Sequence, residues 1–179
     1  MSKKVLVLSA SPRKGGNSDL LCDRFILGAK EAGNQAEKIF LGDKKINFCR
    51  GCLDCQSNNG ICAQNDDMGV ILDKMILADV LVMATPIYFY NMDAQLKALI
   101  DRTCSRYTMI SNKKAFLIAT SDDSRKEAMD ITIAGFRGFL SCLNNVNEAG
   151  IIYGTGVRDM GDIKGKLEMT VAYKMGKAV

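Results

Sequence analysis

Five short apolar runs, each followed by residues with helical periodicity, constrain the fold of this chain more than any other feature. "KKVLVLSA" (3–10) has the continuous apolar character of a strand buried on both faces, as in a parallel sheet. In "GGNSDLLCDRFILGAKEAG", Leu21, Phe25, Ala29 and Ala32 recur at spacings of 4, 4 and 3, with Asn17 or Ser18 placed to cap a helix and Gly33 to end it. "QAEKIFLG" reads as a second strand and "GVILDKMIL" as a short helix introduced by Asp66 and Asp67, whose charges suit the positive end of a helix dipole. "ADVLVMAT" (78–85), "KKAFLIAT" (113–120) and "NEAGIIYG" are the third, fourth and fifth strands. The stretch from Asn91, "NMDAQLKALIDR", reads as a helix, and so does "SRKEAMDITIAGFRGFLSCL". "GDIKGKLEMTVAYKMGK" reads as a last helix capped by Asp162, with Ile163, Leu167 and Val171 facing inward. This alternation specifies an α/β fold, a doubly wound parallel sheet with helices on both faces. No repeat, linker or low-complexity tract divides residues 1–179, which predicts one domain with a cysteine-rich insertion at about 46–68.

Composition narrows the function classes. No apolar run approaches the roughly 18 residues of a membrane span, and the basic N-terminus precedes too short an apolar stretch for a signal peptide. These features predict a cytoplasmic protein with reduced thiols, and the seven cysteines, an odd number, argue against a complete disulfide framework. The net charge of +4 is scattered as on a solvated surface, so neither nucleic acid nor a membrane is an expected partner. The chain contains no histidine, which excludes serine–histidine hydrolysis and histidine-ligated metal catalysis.

In open parallel sheets, ligands sit at the carboxyl ends of the strands. The loop after the first strand, "SASPRKGGNS" (9–18), offers Ser9, Ser11, Asn17 and Ser18, the cations Arg13 and Lys14, and two glycines, and it leads into a helix N-terminus. These are donors for an anion such as phosphate. The loop matches neither G-x-x-x-x-G-K-[ST] nor G-x-G-x-x-G, no acidic pair ends the first strand, and the loop holds no cysteine nucleophile. A site that holds a phosphate without attacking it remains. After the third strand, "TPIYFYNM" (85–92) places Pro86, Ile87, Tyr88 and Phe89 as an apolar shelf that either caps the core or walls a flat ring.

Together, "SASPRKGGNS", "CRGCLDC", "GIC", "DDM" and "ATPIYFYNMDAQLKALIDR" resemble the flavodoxin-like NADPH-dependent FMN reductase family, and within it the branch that includes iron–sulfur flavoproteins. The resemblance implies the flavodoxin strand order 2-1-3-4-5 and a bound FMN. It implies a phosphate on Ser11, Arg13, Asn17 and Ser18, with Ser9 a weaker candidate at the strand end. It implies a ring against Pro86, Ile87, Tyr88 and Phe89, with Ser121 on the loop after the fourth strand. Relatives commonly carry a glycine-rich loop there, whereas this chain reads "ATSDDSRK"; Asp122 and Asp123 are expected to oppose an anionic reduced flavin and the phosphates of a nicotinamide donor.

Cys49, Cys52, Cys55 and Cys62 form C-x2-C-x2-C-x6-C, a spacing closer to [4Fe–4S] ligation than to paired zinc knuckles. Cluster ligation, reduced thiols near the flavin and zinc are the readings this segment leaves open, and the segment is expected beside the flavin end of the sheet. Cys22, Cys104 and Cys142 fall in helix patterns and read as buried small apolar residues. Three function classes follow. The first is an FMN-dependent oxidoreductase in which NAD(P)H reduces FMN and a quinone, a nitro- or azo-compound or free flavin accepts the electrons, with no essential catalytic acid or base. The second is an iron–sulfur flavoprotein exchanging single electrons with ferredoxin. The third is a non-catalytic docking module. A homodimer or homotetramer is expected, because the flavin site of a small domain is half open.

Overall fold

The computed structural model describes residues 1–179. Its elements in chain order are β1 (Lys4–Ser9), α1 (Asn17–Glu31), β2 (Gln35–Phe40), α2 (Asp54–Ser57), α3 (Met68–Leu77), β3 (Val80–Tyr88), β4 (Asn91–Met92), α4 (Ala94–Arg102), β5 (Ser111–Thr120), α5 (Asp130–Ser141), β6 (Asn144–Gly154) and α6 (Leu167–Lys177). The main sheet runs β2-β1-β3-β5-β6, all parallel, and the two-residue β4 folds back antiparallel on β3. With β4 set aside, this is the flavodoxin order expected from the sequence. β4 itself was not foreseen: Asn91 and Met92 belong to a hairpin, and α4 starts only at Ala94, capped by Asp93, whose side chain accepts from the amide of Leu96.

The apolar runs explain the layering. Alternate residues of each strand feed opposite faces, so Leu6, Leu8, Leu81, Met83 and Leu117 join α3, α4 and α5 in one core. Val5, Val7, Val80, Val82 and Ile118 join α1 and α6 in the other. The α1–α6 contact is backbone against backbone. A Cβ on Gly28 would fall 2.1 Å from the carbonyl oxygen of Tyr173, and one on Gly176 would fall 2.0 Å from that of Phe25.

Several expected helix ends move. Gly16, not Asn17 or Ser18, is the N-cap of α1, and Ala32 is the C-cap, on the exposed side. α6 starts at Leu167, which is exposed; Asp162 lies in the preceding loop, where its carboxylate accepts from the amides of Arg158 and Asp159, and Ile163 is buried there. Cys22 is buried as expected, and burial pushes its thiol pKa up. Cys104 and Cys142 are exposed, because each sits just past the end of its helix rather than on the inward stripe.

Candidate functional site

Strand register gathers the loops. Ser9 pairs with Phe40 and Ala84, Pro86 with Thr120, and Thr120 with Gly154, so the segments after β1, β3, β5 and β6 emerge along one edge of the sheet. Strand order reverses between β1 and β3, and the crevice of a doubly wound fold opens at that point.

The β1–α1 loop is ordered by its own polar groups. Asp19, buried in the first turn of α1, accepts from Ser9 Oγ at 2.8 Å, the Gly15 amide at 2.9 Å and Lys38 Nζ at 2.9 Å. Burial works to raise its pKa, but these donors outweigh it and hold the carboxyl below the usual range. Ser9 is therefore committed to Asp19 and is not free for a phosphate. Ser11 Oγ donates to the Arg13 carbonyl at 2.8 Å and accepts from the Arg13 amide at 3.1 Å, closing the turn. Gly16 is packed so closely that a Cβ there would fall 2.8 Å from Ser11 Oγ.

Asn17 also has a different task from the expected one. Its Nδ2 donates to the Asp159 carbonyl at 2.9 Å, and its Oδ1 accepts from the amides of Gly161 and Ile163 at 3.1 and 3.3 Å. It clamps the loop before α6 onto the start of α1. Arg13 is exposed and uses Nη2 on the Arg158 carbonyl at 3.2 Å, which leaves the rest of its guanidinium free. Ser18 differs from all of these: it is 1% exposed and its hydroxyl has no hydrogen-bond partner. An unpaired buried hydroxyl costs about 1–3 kcal/mol. It sits beside the first-turn amides of a fifteen-residue helix, which have no acceptor within the helix. That orphaned donor fits a phosphate.

The shelf after β3 is a tight hairpin. Tyr88 pairs with Asn91, and the two turn residues, Phe89 and Tyr90, have φ of +50° and +64°. A two-residue turn of this kind favours Asn-Gly, and each bulky residue in the left-handed region costs roughly 1–2 kcal/mol. Pro86 is buried and Ile87 half-buried, while Tyr88, Phe89 and Tyr90 are exposed. The hairpin rests on Thr85 and Asp93, both buried: the Asp93 amide donates to Thr85 Oγ1 at 3.0 Å, and Thr85 Oγ1 lies 3.2 Å from Asp93 Oδ1. Burial of Asp93 outweighs its hydrogen bonds and pushes its carboxyl up to about 7, and Oδ2 has no partner.

After β5, Ser121 is buried and accepts from the amide of Asp123 at 3.1 Å. Asp123 is held at about 2 by the Arg125 fork, with contacts of 2.7 and 3.1 Å, and Arg158 lies 3.8 Å from Asp122. Each carboxylate thus has an arginine beside it. The expected repulsion of a nicotinamide donor is weakened by cations that the linear reading did not place there.

The cysteine segment runs from the end of β2 to the start of α3. Cys49 shares an apolar cavity of about 440 Å³ with Ile100, Thr103, Cys104, Phe139 and Cys142, at the carboxyl ends of α4 and α5. All four motif thiols are free, with Cys49 and Cys52 exposed and Cys55 and Cys62 half-buried. No three cysteine or carboxylate side chains are disposed to hold a single metal ion. A cubane spreads its thiolates over four irons, and four thiols outside any disulfide are a donor set whose chemistry suits it. Arg102 and Asp66, a buried pair absent from the sequence reading, anchor the segment at 2.6 Å. The sequence marked Asp66 as introducing a helix, but nothing in it marked Arg102 as its partner.

Comparison with known proteins agrees with this architecture. The family model for NADPH-dependent FMN reductase matches residues 3–134. An iron–sulfur flavoprotein of Methanocaldococcus jannaschii is 42% identical over 100 residues, covering 56% of this chain and 51% of that protein. One from Archaeoglobus fulgidus is 36% identical over 99 residues, covering 55% and 44%. The chain thus spans about half the length of these curated relatives. The NAD(P)H:quinone oxidoreductase structure from Methanothermobacter marburgensis superposes with a TM-score of 0.72 at 19% identity, covering 99% of this chain and 96% of that one, which shows a shared fold. The chain belongs to the NADPH-dependent FMN reductase family.

Proposed function

We propose that residues 1–179 form one FMN-binding domain that carries electrons from NAD(P)H through FMN to a small acceptor such as a quinone or an azo- or nitro-compound. The observation that carries this reading is the buried, unpartnered hydroxyl of Ser18 at the N-terminus of α1. Ser18, the first-turn amides and the free side of Arg13 hold the phosphate, with Ser11 fixing the turn. Pro86, Ile87, Tyr88 and Phe89 wall the ring, and Ser121 closes the far side. When bound, FMN supplies two-electron redox chemistry between the nicotinamide and the acceptor. The chain's residues position it and shield one face; no side chain here is assigned a proton-transfer role.

Ser18→Ala tests this reading. It removes one hydroxyl that has no partner in the free protein, so stability should hold or rise while FMN binds several-fold more weakly. Stopped-flow reduction with NADH and NADPH then reports the donor. A Ser18→Ala variant with unchanged FMN affinity would place the phosphate elsewhere.

The second reading, single-electron exchange with a ferredoxin-like partner through an iron–sulfur group, is supported by the four free surface thiols and by the names of the relatives. The fully exposed Phe89, with Tyr88 and Tyr90 beside it, supports a homodimer or homotetramer that covers the open face of the ring.

A further inference from the structure

The Arg102 guanidinium has five N–H donors, and four contacts engage its two Nη groups. Nη1 donates to the Asn47 carbonyl at 2.7 Å and to Asp66 Oδ2 at 2.6 Å. Nη2 donates to Asp66 Oδ1 at 2.9 Å and to Cys62 Sγ at 3.6 Å. Nε is buried without a partner, as is Nε of Arg106. Both arginines and Cys62 line a polar cavity of about 520 Å³ between α3 and the end of α4. Asp66 in turn accepts from the amide and Nδ2 of Asn47 and from the amide of Met68. One side chain at the end of α4 therefore pins both flanks of the four-cysteine segment. Asn47 lies two residues before Cys49, and Asp66 four residues after Cys62.

An exposed ion pair would explain none of this. The Arg102 side chain is 1% exposed and that of Asp66 is 0%, and a buried pair is costly to desolvate and contributes little net stability. Beyond Asp66 and Asn47, one of the Arg102 donors reaches a sulfur, Cys62 Sγ at 3.6 Å. A hydrogen bond from a cationic donor to a ligand sulfur stabilises the more negative, reduced state of an iron–sulfur centre.

We propose that Arg102 is a positioning residue for the four-thiol centre: it fixes the segment from both ends and, through its contact with Cys62 Sγ, raises the reduction potential of an iron–sulfur group held by Cys49, Cys52, Cys55 and Cys62. This rests on the reading that these thiols hold such a group. The test uses the full chain, reconstituted anaerobically with iron and sulfide, as wild type, as Arg102→Lys and as the double variant Arg102→Leu/Asp66→Asn. Lysine keeps a cation for Asp66 but loses the fork that reaches Cys62. The double variant removes both charges, so neither is left buried alone. Iron and sulfide per chain are measured first, then the midpoint by EPR-monitored titration. The expected result is wild type that loads iron and variants whose reduced-to-oxidised ratio at a fixed potential falls at least tenfold, about 59 mV for one electron. Wild type that takes up no iron would overturn the cluster reading and this proposal together. Loaded variants that keep the wild-type midpoint would overturn the role of Arg102 alone.

Discussion

At the scale of single residues, the buried carboxyls carry the sharpest consequences. Asp93 is held at about 7 in the folded chain against an ordinary value of 3.8. From about pH 4 to pH 7 the folded state therefore keeps a proton that the unfolded state releases, and stability falls as pH rises through that window. Asp93→Asn retains a side-chain oxygen for the helix cap but cannot ionise. In denaturant titrations at pH 4.5 and pH 8, the variant should gain on wild type by on the order of 2–4 kcal/mol between the two conditions. A constant difference would mean that Asp93 ionises normally. Asp93 was hidden in the sequence because "NMDAQLKALIDR" has helical apolar spacing from its first residue, so nothing marked Asp93 as a cap rather than an interior position. Ser9 and Asn17 show the opposite limit. Their residue types suit an anion, but a buried partner for one and a clamped loop for the other lie 10 and more than 140 residues away in sequence.

At the scale of elements, the five parallel strands were legible as continuous apolar runs, while their order was what the family resemblance implied. The ends of helices were not, since caps depend on local geometry that residue types only suggest. The α1–α6 contact was invisible too: Gly28 and Gly176 read as ordinary helix glycines, yet they let two backbones touch. Gly28→Ala should destabilise the chain by roughly 1–3 kcal/mol, the cost of overpacking, despite the higher helix propensity of alanine. A stable Gly28→Ala variant with an unchanged denaturation midpoint would show that α6 can shift away. In the β3–β4 hairpin, Tyr90→Gly should stabilise the fold by relieving the left-handed turn, and Phe89→Ala should weaken flavin binding while leaving stability nearly unchanged. Denaturation midpoints and flavin titration on the same samples separate these effects.

At the scale of the whole molecule, both functional regions sit on one fold. The loop edge carries Ser18, Arg13 and the aromatic hairpin, while Cys49 packs by the ends of α4 and α5 and Cys62 lies between α3 and Arg102. The sequence revealed both regions through their motifs, but not the buried Arg102–Asp66 pair that anchors the second. No helix is long and apolar enough to cross a membrane. The central claim is that the β1–α1 loop holds the phosphate of FMN, and it is tested most directly by titrating FMN and riboflavin into wild type and Arg13→Ala. Wild type should bind FMN at micromolar concentration or below and riboflavin more weakly. Arg13→Ala should lose about ten- to a hundred-fold for FMN, the scale of a charge-assisted hydrogen bond, and little for riboflavin. No FMN binding at micromolar concentration, or equal losses for both ligands, would contradict it.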